Sequence, residues 1–488
     1  MVHSPSHVAL PIAYRTFRQS IKKCTRPISI LPGARGVCSY GYVETRNALP
    51  PTDDVVSIVP SWSGRGINVN SSTQTGTFPE YPTLLKRPIS DREVRLLERA
   101  RTHAADFAER ADEHDRNNSF PHENYEAMKE SGYAHMTLPE EYGGEGVNLI
   151  ELCACQEQLA QGCAGTTIGI NMHIFGLGSR LVDMRNDTPE RQAQGEMMMR
   201  MLAESKGILC GSFSETSSPG AYMMPSTVAH KVDGGWLING TKSYFSNVPA
   251  ADMIGALVRV EVSDDEPPGV TMVMVPKDNP GVICMGEESW DVIGVRASGS
   301  WDVQFKDAFI PDEMMPPVQP ANSVFANMSS FGSWFNITIS AVYLGVAQAA
   351  IDWVKRYLNE RKPATEERSL AHMPGLQYQL AEMVAITESS RALIRSSAED
   401  WMAKPWDVQE AMAKGGLCKY VATNNHTKVV ELAMDIAGGP SIFRREGLER
   451  LYRDARAGKA HPPADMMALE SIAKYSLGIP RDFQPRWG

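Results

Sequence analysis

The chain has 488 residues, 42% of them hydrophobic and 22% charged, which is the composition of an ordinary globular protein long enough for two or three domains. Its 48 basic and 58 acidic residues give a formal net charge of -10, a balance that favours solubility and argues against nucleic acid as a main partner, since phosphate binding needs clustered Lys and Arg. The eight cysteines form no C-x-x-C pair, so they support neither a metal site nor a disulfide framework and read as reduced, mostly buried thiols.

Residues 1–85 read as an N-terminal extension. Between Met1 and Val43 there are six Lys or Arg and no acid, with recurring Pro and Ser and little periodicity. Three readings stand side by side: a disordered tail, a transit-type presequence, or an upstream start codon. The expected location is cytoplasmic, or the mitochondrial matrix if the extension includes a presequence. From Ser90 the pattern turns helical. Val94, Leu96, Leu97, Ala100, Ala104, Phe107 and Ala108 recur at helical spacing within 91–130, and Ser90 with Glu93 forms a capping-box pattern. Further helices over 149–161 and 190–202 complete a helical domain at 86–205.

A β-rich domain follows at 206–320. The runs 226–232, 235–239, 256–262, 270–275 and 301–305 are short and rich in β-branched or aromatic residues, and Asp233-Gly234-Gly235 and Asn239-Gly240 supply turns. Beyond Pro320, helices at about 330–360, 374–402, 407–437 and 446–456 predict a bundle over 321–488. The uncharged stretch 321–351 is interrupted by Asn, Ser and Thr, so it reads as a buried helix rather than a membrane span. The fold class expected is α+β: an N-terminal helical domain, a central small β-barrel or sandwich, and a C-terminal four-helix bundle.

Four segments carry a family resemblance: Leu138-Pro139-Glu140-Glu141-Tyr142-Gly143-Gly144, Asn239 to Asn247 (NGTKSYFSN), Gly294 to Gly299 (GVRASG) with Ile310-Pro311, and Arg453-Asp454-Ala455. Their order is similar to that of the acyl-CoA dehydrogenase superfamily, across residues 86–480. The resemblance implies FAD, or alternatively reduced FMN or FAD supplied by a reductase. An isoalloxazine ring needs an apolar face and hydrogen-bonding groups along its polar edge. The matching positions are Tyr244, Ser246 and Ser214, where the family usually has a tryptophan and threonines. Arg361, in Tyr357-Leu358-Asn359-Glu360-Arg361, matches an arginine on the cofactor pyrophosphate, for which a planar guanidinium suits. Gly438-Gly439 also matches, although Asp435 replaces the family's nearby glutamine. Taken alone, Tyr244 would be a strand aromatic and Arg361 a helix-end charge; the motif order favours the cofactor roles. The resemblance further implies a homotetramer or homodimer.

The catalytic base is the point of departure. The family's glutamate lies either eight residues after the Arg-Asp aspartate, here Pro462, or in the first bundle helix near Phe335, and neither place holds an acid. His461 stands beside the first. It is the candidate catalytic residue, either as an unusual α-proton base or in the manner of the superfamily's flavin-dependent monooxygenases; a helix-capping loop histidine is the plain alternative. The leading expectation is α,β-dehydrogenation of an acyl-CoA or acyl-carrier thioester, with an electron-transfer partner. A two-component monooxygenase with a flavin reductase and another small-molecule substrate is the alternative, and a non-catalytic scaffold is the third reading.

Overall fold

Ser90 starts the first helix by reciprocal capping: its hydroxyl accepts the Glu93 N–H while the Glu93 carboxylate accepts the Ser90 N–H. This helix, α1 (Asp91–Asn117), ends where Asn118 turns left-handed, so the run read as 91–130 is two helices, with α2 at His122–Glu130. A second capping box, on Asn148 and Glu151, opens α3 (Leu149–Ala160). Next come α4 (Ala164–Met184) and α5 (Pro189–Ser205). Sequence reading passed over α4. Most of its residues from Ala164 to Ser179 are buried, so it carries no polar face and no amphipathic period.

The computed structural model describes residues 84, 89–184, 188–215, 224–261, 268–320 and 329–480. Two units divide the chain, Met1–Thr75 and Gly76–Gly488, and all described residues belong to the second. The expected extension at 1–85 lies outside the described residues apart from Leu84.

The central β-domain is built as one mixed sheet. Its strands are β1 (Leu209–Ser212), β2 (Val228–Val232), β3 (Gly235–Phe245), β4 (Met253–Glu261), β5 (Gly269–Pro276), β6 (Val282–Cys284), β7 (Trp301–Pro311) and β8 (Gln319–Pro320). They run in the order β6-β7-β3-β2-β4-β5-β8, with β1 and β2 both parallel to β4 and the other pairs antiparallel. Alternate residues of both halves, among them Ile238, Phe245, Ile254, Val258, Val273 and Phe305, share one apolar core. The strands β3 and β7 extend well beyond their predicted ends, to Phe245 and Pro311: polar Thr241 and Lys242 of β3 stay in the ladder opposite Gln304 and Val303, and Ala308, Phe309, Ile310 and Pro311 of β7 pair with Ile238, Leu237, Trp236 and Gly235.

The C-terminal part is helical: α6 (Ser329–Glu360), α7 (Pro374–Ala403), α8 (Val408–Glu410), α9 (Gly416–Ala437), α10 (Leu448–Ala457) and α11 (Asp465–Leu477), with a π-helical turn at Ala411–Gly415 leading into α9. By length and composition α6 could cross a membrane, yet 89% of its apolar window is buried inside the protein. It is a core helix. Ile339, Val342, Tyr343, Val346 and Ala350 pack with Ala160, Ala164 and Ile168 of α3 and α4 and with Val429, Val430, Ala433 and Leu451 of the bundle, so one helix joins both helical parts.

Two of the sequence motifs meet in space. Asp454 is buried and accepts the Val295 N–H at 2.6 Å, while Arg450 lies 3.6 Å from the same carboxylate. A Cβ on Gly294 would stand 2.4 Å from the Arg453 carbonyl oxygen, so only glycine permits this approach. Arg453 in turn makes a bidentate pair with Asp115 of α1, at 2.9 and 2.6 Å. The clamp holds α1, the β-domain loop and α10 together. Asp454 thus has the structural ion-pair role.

Candidate active site

His461 sits in the turn between α10 and α11, one residue before the cis bond Pro462–Pro463. Its Nδ1 is 2.9 Å from the Tyr343 hydroxyl of α6. The two places where a base could stand converge here: the Phe335 ring centroid is 6.4 Å from that of His461. Phe331, Phe335 and Tyr343 belong to one face of α6, at helical spacings of four and eight residues. That spacing was a signal that could have marked Tyr343 beforehand.

Rings continue from there. Phe335 lies 5.7 Å from Phe175 of α4, Phe175 lies 4.9 Å from Phe331, and Phe331 lies 5.6 Å from Phe213 at the end of β1. A line of aromatic contacts therefore runs from His461 to the residue next to Ser214.

Burial first, then the nearby Lys419 ammonium, push the His461 imidazole down to about 4, against an opposing contribution from the Ala457 carbonyl. The ring is neutral at physiological pH. Burial also raises the Tyr343 phenol well above its ordinary range, and Asp454 adds to this. Neither group ionises at neutral pH, so the pair is linked by a hydrogen bond between uncharged groups.

On the β-domain side, the structure brings Ser214, Tyr244 and Ser246 together. The Ser243 N–H donates to the Ser214 carbonyl oxygen at 3.0 Å, and Ser212 Oγ donates to the Ser243 carbonyl oxygen at 2.5 Å. Ser246 Oγ is 2.8 Å from Ser300 Oγ, which is 2.7 Å from Ser298 Oγ, giving a buried row of hydroxyls. Tyr244 has φ 62 and is 53% exposed, with its ring set edge-on to Trp290 at 5.9 Å. An aromatic in left-handed backbone, half out of the core, is unusual for a packing residue.

Glu215 was not among the expected site residues. It accepts from Ser226 N (2.8 Å), Thr227 N (3.0 Å), the hydroxyls of Ser226 and Thr227, and Lys242 Nζ (2.9 Å). Burial acts against the charge on both members of this pair. On Glu215 the donors prevail and hold the carboxyl down to about 2, whereas on Lys242 burial outweighs the carboxylate and the pKa is lowered. Nothing in the sequence marked it, because its partners come from two other segments, Ser226-Thr227 and Lys242. The Glu215–Lys242 pair fixes the Phe213–Glu215 segment against β2 and β3.

Arg361 and Gly438-Gly439 are brought to one end of the bundle. The Tyr357 hydroxyl donates to the Ala437 carbonyl oxygen at 3.3 Å, and the exposed Arg361 guanidinium lies 5.8 Å from the Tyr357 ring centroid. Gly438 has φ 60 and ψ −133, a conformation open to glycine, and nothing stands within 4 Å of where a Cβ would be on either glycine. Among the described residues Arg361 makes no ion pair.

The donor set fits a flavin. A half-exposed aromatic and a row of hydroxyls suit the ring, while an exposed guanidinium beside two open glycines suits a diphosphate. The hydroxyls are already ordered by their neighbours.

This architecture and donor set define a flavoprotein oxidoreductase. Three models match in register: the acyl-CoA dehydrogenase N-terminal domain at 90–184, its middle domain at 210–308 and its C-terminal domain at 337–465. The chain belongs to the acyl-CoA dehydrogenase family, whose members use FAD. It is 29% identical over 394 residues to the putative acyl-CoA dehydrogenase YdbM of Bacillus subtilis, covering 79% of this chain and 97% of that one. Among solved structures it resembles KijD3 in complex with FMN and a dTDP-linked amino-keto sugar, with a TM-score of 0.73, 24% identity and coverage of 83% and 98%. It also resembles butyryl-CoA dehydrogenase from Megasphaera elsdenii, with a TM-score of 0.71, 21% identity and coverage of 80% and 100%.

Proposed function

We propose that this chain is a two-component flavin-dependent monooxygenase in which His461 is the residue facing the reacting centre. What supports this reading is the neutral His461–Tyr343 pair, at 2.9 Å, beside the two positions, Pro462 and Phe335, where the family resemblance would put a carboxylate. Reduced flavin supplies two electrons; one atom of O2 enters the substrate and the other leaves as water.

The residues of this chain divide the remaining work. Tyr244, Ser246 and Ser214 hold and orient the ring, and Arg361 with Gly438-Gly439 receives the diphosphate of FAD. Phe213, Phe331, Phe175 and Phe335 keep water from the space beside the ring. A neutral imidazole donates or accepts a hydrogen bond without bringing a charge into that apolar space. The partner is a flavin reductase.

A second reading keeps His461 as the base for α-proton abstraction from an acyl thioester. Its support is the β-domain donor set, which both reactions share. An imidazole pushed down to about 4 is a weak base for a carbon acid, and this weighs against it.

An oxygen electrode separates the two. The protein, loaded with chemically reduced FMN or FAD, is expected to slow release of hydrogen peroxide relative to free reduced flavin, and His461→Ala is expected to remove that protection. Bleaching of protein-bound FAD by any member of an acyl-CoA chain-length series would overturn the monooxygenase reading.

A further inference from the structure

His461 needs to be held at the end of a short turn, and the residue doing so comes from another helix. Lys419 lies on α9 with its side chain fully buried, an unusual place for an ammonium group. Its Nζ donates to the Pro463 carbonyl oxygen at 3.1 Å, two residues beyond His461, and Asp465 Oδ1 at the start of α11 is 3.7 Å away. That oxygen has no hydrogen-bond partner within 3.5 Å among the described residues, while the other carboxylate oxygen accepts from Asn424 Nδ2 at 3.1 Å. One turn further along α9, the Lys419 carbonyl accepts from Thr423 Oγ1, and the Thr423 methyl meets Gly458 below the turn.

We infer that Lys419 is a positioning residue for the active site: its buried ammonium ties the 461–463 turn to α9 and so sets the orientation of His461. A buried cation is costly unless its position is used, and here it has one short hydrogen bond and one longer carboxylate contact, both on the segment that carries His461. His461 meets Tyr343 from α6 by a hydrogen bond and the Lys419 charge from α9; Asp465 from α11 and Lys459 in the turn act on Lys419, and Asp454 of α10, paired with Arg450, acts on Tyr343. Among these, Lys419 is the charge that acts on the imidazole, and it disfavours protonation. Asp465 partly compensates the ammonium and Lys459 opposes its protonation. The inference rests on the reading that His461 faces the reacting centre; its readout is independent of which reaction the ring serves.

The test is an NMR titration of the full-length protein labelled in its histidine rings, with the His461 signal assigned from His461→Gln. In Lys419→Met the His461 midpoint is expected to rise by about one pH unit, and in Lys419→Arg to stay near the parent value. The acid limb of the activity profile should move with it. Should Lys419→Met fail to fold, Asp465→Asn serves instead: relieving the ammonium of its counter-charge lowers the His461 midpoint. An unmoved midpoint in whichever of these variants folds overturns the inference, whatever the loss of thermal stability. Altered His461 titration together with no flavin-dependent oxygen chemistry would uphold the positioning role and sink the monooxygenase reading, so the two fail separately.

Discussion

Asp454 accepts the backbone N–H of Val295 at 2.6 Å, joining two segments 159 residues apart. Val295 has φ 53, a conformation that a β-branched residue adopts at a cost, and it is retained because the buried carboxylate fixes its N–H. Asp454→Ala leaves that N–H without its acceptor and Arg450 with Asp112 as its remaining carboxylate, at 2.7 Å, and is expected to cost about 3 kcal/mol in urea unfolding. Asp454→Asn, which keeps an acceptor, should cost less than half as much.

The Glu215–Lys242 pair makes the second prediction. Both side chains are fully buried. Lys242→Met strands a carboxylate that still has four other donors, whereas Glu215→Ala strands an ammonium whose other contact is the Phe213 carbonyl at 3.3 Å. Glu215→Ala should therefore be the more damaging, by about 4 kcal/mol against roughly 2 for Lys242→Met, as read from denaturant midpoints.

At the active site, His461→Ala should lower turnover by about a hundredfold to a thousandfold, the loss expected for a hydrogen-bonding group at a reacting centre. Tyr343→Phe should lower it by roughly tenfold, since it removes one hydrogen bond to an uncharged ring. Both variants should bind flavin as the parent does, because neither residue belongs to the Tyr244–Ser246 or Arg361–Gly438 groups. Equilibrium flavin titration beside steady-state kinetics checks both halves.

Arg361→Ala should show the opposite split. The side chain is exposed, so melting of the flavin-free protein should be unchanged, while the Kd for FAD rises about tenfold or more. Affinity for FMN, which has no diphosphate, should move far less.

Acid should destabilise the chain early. Burial lowers the pKa of His103, His135, His173, His426 and His461, with His426 reaching about 3 and His461 about 4. The unfolded chain takes up these protons near pH 6.5 and the folded chain does not. The stabilisation from keeping the rings neutral is thus complete above pH 6.5 and is lost progressively as pH falls towards 4. Asp454, raised to about 6, works in the other direction below pH 6, but it is one group against five. Urea midpoints at pH 7.5 and pH 5 should differ clearly, and His426→Leu, replacing a ring with no hydrogen-bond partner among the described residues, should narrow the gap.

The residues at the motif positions could be picked out in the sequence because their spacing is local: Ser90 with Glu93, Asn239-Gly240, and the strands between turns. The elements missed were those without contrast. The helix α4 is apolar on nearly every side, and the four residues of β1 lie inside the sheet alongside β4. Within the candidate site, Tyr244, Ser246, Arg361 and His461 could be named from motif order, but what fixes them could not. Tyr343 approaches His461 across 118 residues, and Lys419 reaches Pro463 across 44. Such partners are set by how helices pack, and nothing in the local pattern of α9 announces that one of its lysines is buried.

The convergence of Phe335 and His461 has a consequence for how this scaffold diversifies. On the proposed reading these two side chains, borne by a helix and by a distant turn, are the ones that face the reacting centre, and neither takes part in the Asp454–Val295 clamp or the Glu215–Lys242 pair. Chemistry and architecture are therefore under separate control. On that reading, substitution at these two positions alters the reacting centre and leaves the clamp and the ion pair in place.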